Sequence, residues 1–200
     1  MAYPKVLRDL IECFKKLPGV GERTAERMAL ATLNMEQDQL DLFSDSLGKI
    51  KKSLKRCTQC NHFSEKDKCE ICNDKNRDSS ILCVVEEPKN VILFERIGTF
   101  KGRYHVLDGL ISILDGVKPE DLKIELLLDR IKKEKIKEII IALKPSIEGE
   151  TTTLYICKLC EGKKITVSKI AHGVPRGADM DYIDSLTLEL ALEDRKKISE

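Results

Sequence analysis

Tryptophan is absent from this 200-residue chain, and five phenylalanines and four tyrosines are its whole aromatic supply. Binding of unpaired nucleic-acid bases by ring stacking is therefore poorly provided for. No apolar run approaches the ~20 residues that a membrane helix needs. The opening MAYPKVLRDL has no signal-peptide core. The chain thus reads as soluble and cytoplasmic, with no membrane partner. Net charge is only +1, which excludes a surface that attracts polyanions everywhere. There is no internal repeat and no low-complexity segment.

What is present is a globular composition, 42% apolar and 34% charged, long enough for one fair-sized core plus one or two small modules. Charge is unevenly spread. Residues 1–56 carry 11 Lys/Arg against 8 Asp/Glu, so any nucleic-acid contact should start near the N-terminus. Eight cysteines without a secretion signal read as metal ligands plus buried thiols rather than disulfides.

Four regions emerge. Residues 1–54 are expected to be helical. Leu7, Leu10, Ile11 and Phe14 form one apolar stripe; Ala25, Met28, Ala29, Thr32 and Leu33 form a second; a third helix runs from Gln37 to about Leu54. Residues 55–78 hold four cysteines, many charges and too little apolar bulk for a core of their own. Residues 79–173 alternate short apolar strands (81–85, 104–107, 138–143, 164–171) with helices starting at Pro88, running from Pro119 to about Glu134 with Leu122, Leu126 and Leu127 inside, and from Glu150 to about Cys160. That alternation predicts a multi-domain α/β chain with a mostly parallel sheet. Residues 174–200 form a short tail with a Pro-Arg-Gly turn and a helix near Ser185–Lys197.

The first two helices flank Leu17-Pro18-Gly19-Val20-Gly21, the pattern of a helix-hairpin-helix. Gly19 and Gly21 permit a tight turn and close approach of a ligand. A helix beginning at Gly21 offers free N–H groups and a positive dipole end to a phosphate. Arg23 and Arg27, four residues apart, project from one face beside it, with Lys15 and Lys16 in support. Such contacts hold DNA without reading bases. The alternative is a plain helical turn with surface arginines.

Cys57-x2-Cys60, eight residues, then Cys69-x2-Cys72 is the sharpest pattern in the chain. Two such pairs supply four thiolates for one tetrahedral zinc ion, closed and structural. Two redox pairs or four free thiols are the alternatives; His62 is left out because four sulfurs fill the shell. Cys13, Cys83, Cys157 and Cys160 read as core, the last two sharing a helix face with Leu154.

The α/β region resembles the Toprim domain of topoisomerases, primases and some nucleases. In catalytic members a Glu after the first strand and an Asp-x-Asp after a later one hold magnesium. Here Glu86 fits the first position, while Lys144 and Ser146 stand where the aspartates belong. An ammonium repels the cation, and a hydroxyl is a weak ligand for it. The resemblance therefore implies a scaffold without the chemistry. Glu86, Glu148 and Glu150 are then either docking points for a partner protein or ordinary solvated acids.

The order hairpin, four-cysteine finger, degenerate Toprim and tail resembles the RecR family over essentially the whole chain. YHVLDGLISILDGVKPEDL (104–122), EGETTTLYI (148–156) and KIAHGVP (169–175) carry the likeness; the tail RGADMDYIDSL departs from it. The resemblance implies a non-catalytic recombination mediator in DNA repair, nucleoid-associated and with one structural Zn2+ per chain. It further implies a homotetrameric ring that clamps single-stranded or duplex DNA and acts with RecO, and in some settings RecF, to load RecA. Two other readings stay open: a magnesium-dependent Toprim nuclease or topoisomerase-like enzyme, and a zinc-bearing interaction module that never touches DNA.

Overall fold

The computed structural model describes residues 3–171, 173–175, 177–195 and 197. The chain divides into two compact units, Met1–Leu54 and Lys55–Glu200.

The first unit is helical: α1 (Lys5–Lys15), α2 (Glu22–Thr32) and α3 (Gln37–Ser53). Its core is Ile11 and Phe14 against Ala25 and Ala29. The two alanines are fully buried, so the small side chains let α1 and α2 approach closely. Leu33 is exposed because α2 stops at Thr32. Cys13 is also exposed, against expectation: it lies two residues from Ile11, about 200° around the helix from the buried stripe.

The second unit begins with a two-stranded hairpin, β1 (Lys55–Arg56) and β2 (Phe63–Ser64), and a single turn, α4 (Glu70–Asn73). A four-stranded sheet follows: β3 (Ile81–Val85), β4 (Arg103–Val106), β5 (Glu138–Ala142) and β6 (Thr166–Lys169), ordered β4-β3-β5-β6 with every pair parallel. Alternate strand residues serve opposite faces. Leu82, Val84, Ile139 and Ile141 pack with Leu127 and Ile131 of α6 (Ile124–Lys133) and Ile156 of α7 (Ile147–Cys160). Cys83, Val85, Tyr104 and Val106 pack with Val91 of α5 (Pro88–Ile97). Helices thus cover both faces, as the near-continuous apolar strands require. Pro88 takes the first helical position and Gly98, at φ +73°, ends α5. Among the described residues no helix is long and apolar enough to cross a membrane.

Several boundaries differ from the sequence expectation. The helix expected over 119–134 is split. Pro119–Asp121 is one 3-10 turn and Leu122 is extended; Lys123 N–H is drawn to Leu107 C=O at 2.9 Å before α6 starts. Leu126 is only half-buried, whereas Ile124 and Arg130 are buried. α7 starts at Ile147 rather than Glu150, because the Ser146 side chain caps it. Its inward face is Gly149, Thr152, Thr153, Ile156 and Cys160, which leaves Leu154 exposed and Cys157 half-buried. The last helix, α8, covers Ser185–Glu193. Arg176 of the expected Pro-Arg-Gly turn lies outside the described residues.

His105 on β4 is fully buried, with Nε2 2.8 Å from Lys123 C=O. Since a carbonyl only accepts, Nε2 carries the hydrogen. Burial, then the nearby Arg130 charge, push the imidazole down to about 3. The unfolded chain therefore binds one more proton than the folded chain at pH values between the two pKa values, and stability falls as pH falls through that window. We expect His105 to contribute about 1.4 kcal/mol per pH unit between about pH 6 and pH 4. Urea midpoints measured across this range should be flatter for His105→Gln than for the parent; parallel curves would exclude the assignment.

Candidate nucleic-acid interface and metal centre

The hairpin in the first unit is built by backbone geometry. Gly19 sits at φ +78°, where side chains are strained, and nothing lies within 4 Å of where its Cβ would be. Gly21 is ordinary extended backbone, φ −82° and ψ 173°, and caps α2 without a side-chain bond. It leaves the first N–H groups of α2 uncovered. Arg23 and Arg27 are both exposed, and none of the ion pairs among the described residues engages either. Lys16 is exposed as well. Lys15 differs: its ammonium lies 2.8 Å from Glu12 and 3.0 Å from Glu22, and these partners hold its pKa above the ordinary lysine value. It ties α1 to α2 rather than standing free.

In the second unit the sulfurs of Cys57, Cys60, Cys69 and Cys72 lie within 4.8 Å of one another, and all four residues are buried. A tetrahedral zinc with Zn–S near 2.3 Å places its sulfurs about 3.8 Å apart; Cys60 and Cys69 Sγ are 3.5 Å apart. None of the four forms a disulfide. Contacts with the neighbouring sulfurs, and then burial, push the Cys60 and Cys72 thiols up, while the same contacts lower Cys57. Four thiolates in this space need a cation, and the cluster fits a structural zinc ion. Among the described residues it is the one grouping of three or more His, Cys, Asp or Glu side chains placed to hold a metal.

The finger does not stand alone. Val106 N–H donates to Cys60 C=O at 2.9 Å, and Asn61 Nδ2 donates to Val106 C=O at 3.2 Å. Arg56 pairs with Asp108 at 2.6 Å, and Gln59 donates to Glu134 at 2.8 Å. Asn61 holds φ +61°, a left-handed conformation that Asn tolerates better than most residues. The sequence alone gives Asn61 little prominence; its position directly after the first cysteine pair is the available signal.

At the carboxyl ends of the strands, Glu86 follows β3 and Lys144 follows β5. Lys144 Nζ lies 4.0 Å from a Glu86 oxygen. A crevice of about 380 Å³ opens here, lined by Glu86, Asn90, Phe94, Leu143, Lys144 and Ile170. Ser146 Oγ accepts from Gly149 N–H at 3.2 Å as the cap of α7. The two positions that carry metal-binding aspartates in catalytic Toprim domains are thus a counter-ion for Glu86 and a helix cap, and these residues do not fit a magnesium ion. Glu148 and Glu150 fall in the first turn of α7. The Ser146 hydroxyl keeps the Glu148 carboxyl below the usual range, and Glu150 pairs with Lys169.

Comparison with known protein families matches four descriptions in chain order: the RecR helix-hairpin-helix over residues 7–51, the RecR four-cysteine zinc-finger domain over 54–74, the Toprim domain over 80–171 and the RecR C-terminal region over 173–196. The chain is 44% identical to the recombination protein RecR of Staphylococcus haemolyticus over 198 residues, 99% of this chain and 100% of that protein.

Removal of zinc should loosen more than the finger. We expect one zinc per chain by elemental analysis, and a sharp loss in Cys69→Ser. After chelation, hydrogen exchange of β4 amides should accelerate along with that of residues 57–72, since Val106 loses its partner. Unchanged β4 protection in the zinc-free protein would show the two to be independent.

Proposed function

Because the chain belongs to the RecR family of recombination proteins, we propose that it is a non-catalytic, DNA-binding mediator of recombinational repair, working in the cytoplasm at the nucleoid. It encircles single-stranded or duplex DNA as a homotetrameric ring and acts with RecO, and with RecF where RecF takes part, to favour RecA loading. The observation that supports DNA contact is the uncovered amino end of α2 beside two exposed, unpaired arginines, Arg23 and Arg27. Backbone N–H groups and guanidinium groups are the donors that phosphates accept from. Lys16 extends this surface; Lys15 contributes mainly by fixing the hairpin. Glu86, Glu148 and Glu150 line the carboxyl end of the sheet as docking points for a protein partner, Glu86 and Glu150 each beside a lysine, Lys144 and Lys169.

The absence of Toprim catalysis follows from Lys144 and Ser146. Glu86 already has a cation beside it, and among the described residues no pair of carboxylates faces it to complete a magnesium site.

Two outcomes are expected. With four subunits each placing both arginines on phosphates, about eight counterions leave duplex DNA and the slope of log K against log salt is about −7. Arg23→Glu with Arg27→Glu should abolish binding at moderate salt while zinc content and solution mass stay unchanged; parental affinity in a correctly assembled variant would falsify the hairpin as the contact. Second, purified protein should neither cleave nor relax plasmid DNA with magnesium or manganese. Activity that co-purifies and disappears in Glu86→Gln would establish the enzyme reading instead.

A further inference from the structure

The amino-terminal end of the sheet in the second unit collects lysines from two segments distant in sequence. Residues 130–137 read RIKKEKIK, a basic octamer of the kind that marks polyanion-binding patches. Lys132, Lys133, Lys135 and Lys137 are exposed, as are Lys163 and Lys164 before β6. Strand pairing brings the two segments side by side: Glu138 pairs with Thr166, and Thr166 N–H donates to Lys137 C=O at 2.8 Å.

The acids and bases at this end differ in what they do. Glu134 is taken up by Arg130 at 2.9 Å and Gln59 at 2.8 Å. Glu138 accepts from Ser168 at 2.6 Å, and Asp78 accepts from the Ser80 N–H and hydroxyl at 2.8 and 2.7 Å. Among the lysines, Lys133 pairs with Asp129 at 3.5 Å and Lys163 donates to Leu159 C=O. Lys132, Lys135, Lys137 and Lys164 enter none of the ion pairs or side-chain hydrogen bonds among the described residues. Asp78, Asp129 and Glu161 are the exposed acids nearby, and, after the Ser80 hydroxyl and N–H, Lys137 helps to hold the Asp78 carboxyl below its ordinary range. Hydrogen bonds from neutral serines orient Asp78 and Glu138 without cancelling their charge. Arg130 and the six lysines still outnumber Asp78, Asp129, Glu134, Glu138 and Glu161, so this end carries a surplus of positive charge.

Compensation of helix dipoles is the bland account, since cations are favoured at helix carboxyl ends. It covers Lys132 and Lys133 in the last turn of α6. It does not cover Lys135, Lys137 and Lys164, which lie outside helices. The six lysines stand on exposed loops and one helix end, without an aromatic ring among them, so they suit a long repeating polyanion rather than a single small anion. We infer that this end of the sheet is a second phosphate-backbone contact for DNA, independent of base sequence and separate from the hairpin.

This inference rests on the DNA-binding reading, so its test must tell the two apart. Full-length, zinc-loaded protein is titrated onto a fluorescent oligonucleotide duplex across a salt series. Three forms are compared: parent, Lys135→Gln/Lys137→Gln/Lys164→Gln, and Arg23→Glu/Arg27→Glu. The triple variant should bind more weakly, and its salt slope should shrink by about 0.9 for each phosphate no longer neutralised, about 2.7 for one engaged patch. Lys137→Gln alone should take about a third of that change. Parental slope and affinity in the folded triple variant overturn the inference and leave the hairpin standing if the arginine variant fails to bind. Weakened binding in the triple variant with parental binding in the arginine variant keeps this second site and removes the hairpin. A parent protein that binds no DNA overturns both, and would leave an acidic protein as the partner of these lysines.

Discussion

The second unit depends on how the outer edge of β4 is satisfied. β4 ends the sheet, and an unpaired edge presents backbone donors and acceptors that invite pairing with other chains. Here Val106 is served on both its groups by Cys60 and Asn61 of the finger. Tyr104 C=O accepts from buried Arg130 at 2.7 Å. Arg130 is in turn held by Glu134, which also accepts from Gln59. A buried ion pair is not by itself a stabilising device, because desolvation offsets its attraction. This pair matters because it hydrogen-bonds a strand edge and links that edge to the finger. The finger has no core beyond its four cysteines and the half-buried Ile71, so the metal stands behind the edge strand as well as the loop that binds it.

The carboxyl end of the same sheet is organised differently. In a parallel sheet the open crevice lies beyond the strand ends where the chain order reverses, here between β3 and β5. That is where Glu86 and Lys144 meet. The approach of backbone there is close: a Cβ on Gly149 would sit 2.0 Å from Lys144 C=O, so only glycine lets α7 start where it does. The geometry that could position acids around a cation is intact. Its occupants here are an ammonium 4.0 Å from Glu86 and a hydroxyl that caps a helix.

Much of this is legible in the sequence because the signals are local. The run Ile81–Val85 is apolar throughout and is a central strand buried on both faces. The cysteine spacing specifies its own cluster. The misses are tertiary or lie at boundaries. Ser146 reads as a failed metal ligand although its side chain is a helix cap; Ser followed by Glu148 and Glu150 is a helix-start pattern. Leu154 reads as core because its neighbours at i+3 spacing are cysteines, yet the packed face of α7 is drawn from Gly149, Thr152, Ile156 and Cys160. The split at Leu122 comes from a hydrogen bond to Leu107 across the fold, which no periodicity in residues 119–134 reveals. The finger reads as a separate module because its contacts to β4 are made by backbone and by Asn61, neither of which has a strong compositional mark.

A net charge of +1 would suggest indifference to polyanions, but the parallel topology sorts charge by direction. Helices that return between parallel strands all place their amino ends beside the strands' carboxyl ends. Their dipoles favour acids there and bases at the opposite end. Glu148 and Glu150 in the first turn of α7 and Lys132 and Lys133 in the last turn of α6 follow that rule. The loop lysines add to a polarity that the backbone already sets. Summed charge over the chain then nearly cancels while the surplus lysines at the amino end of the sheet keep a local positive sign over distances within a Debye length, about 8–10 Å at physiological salt. For such a molecule affinity at one ionic strength says little. The quantity that reports the physics is how steeply binding falls as salt rises, since each steepening step counts a phosphate that a particular lysine or arginine has neutralised.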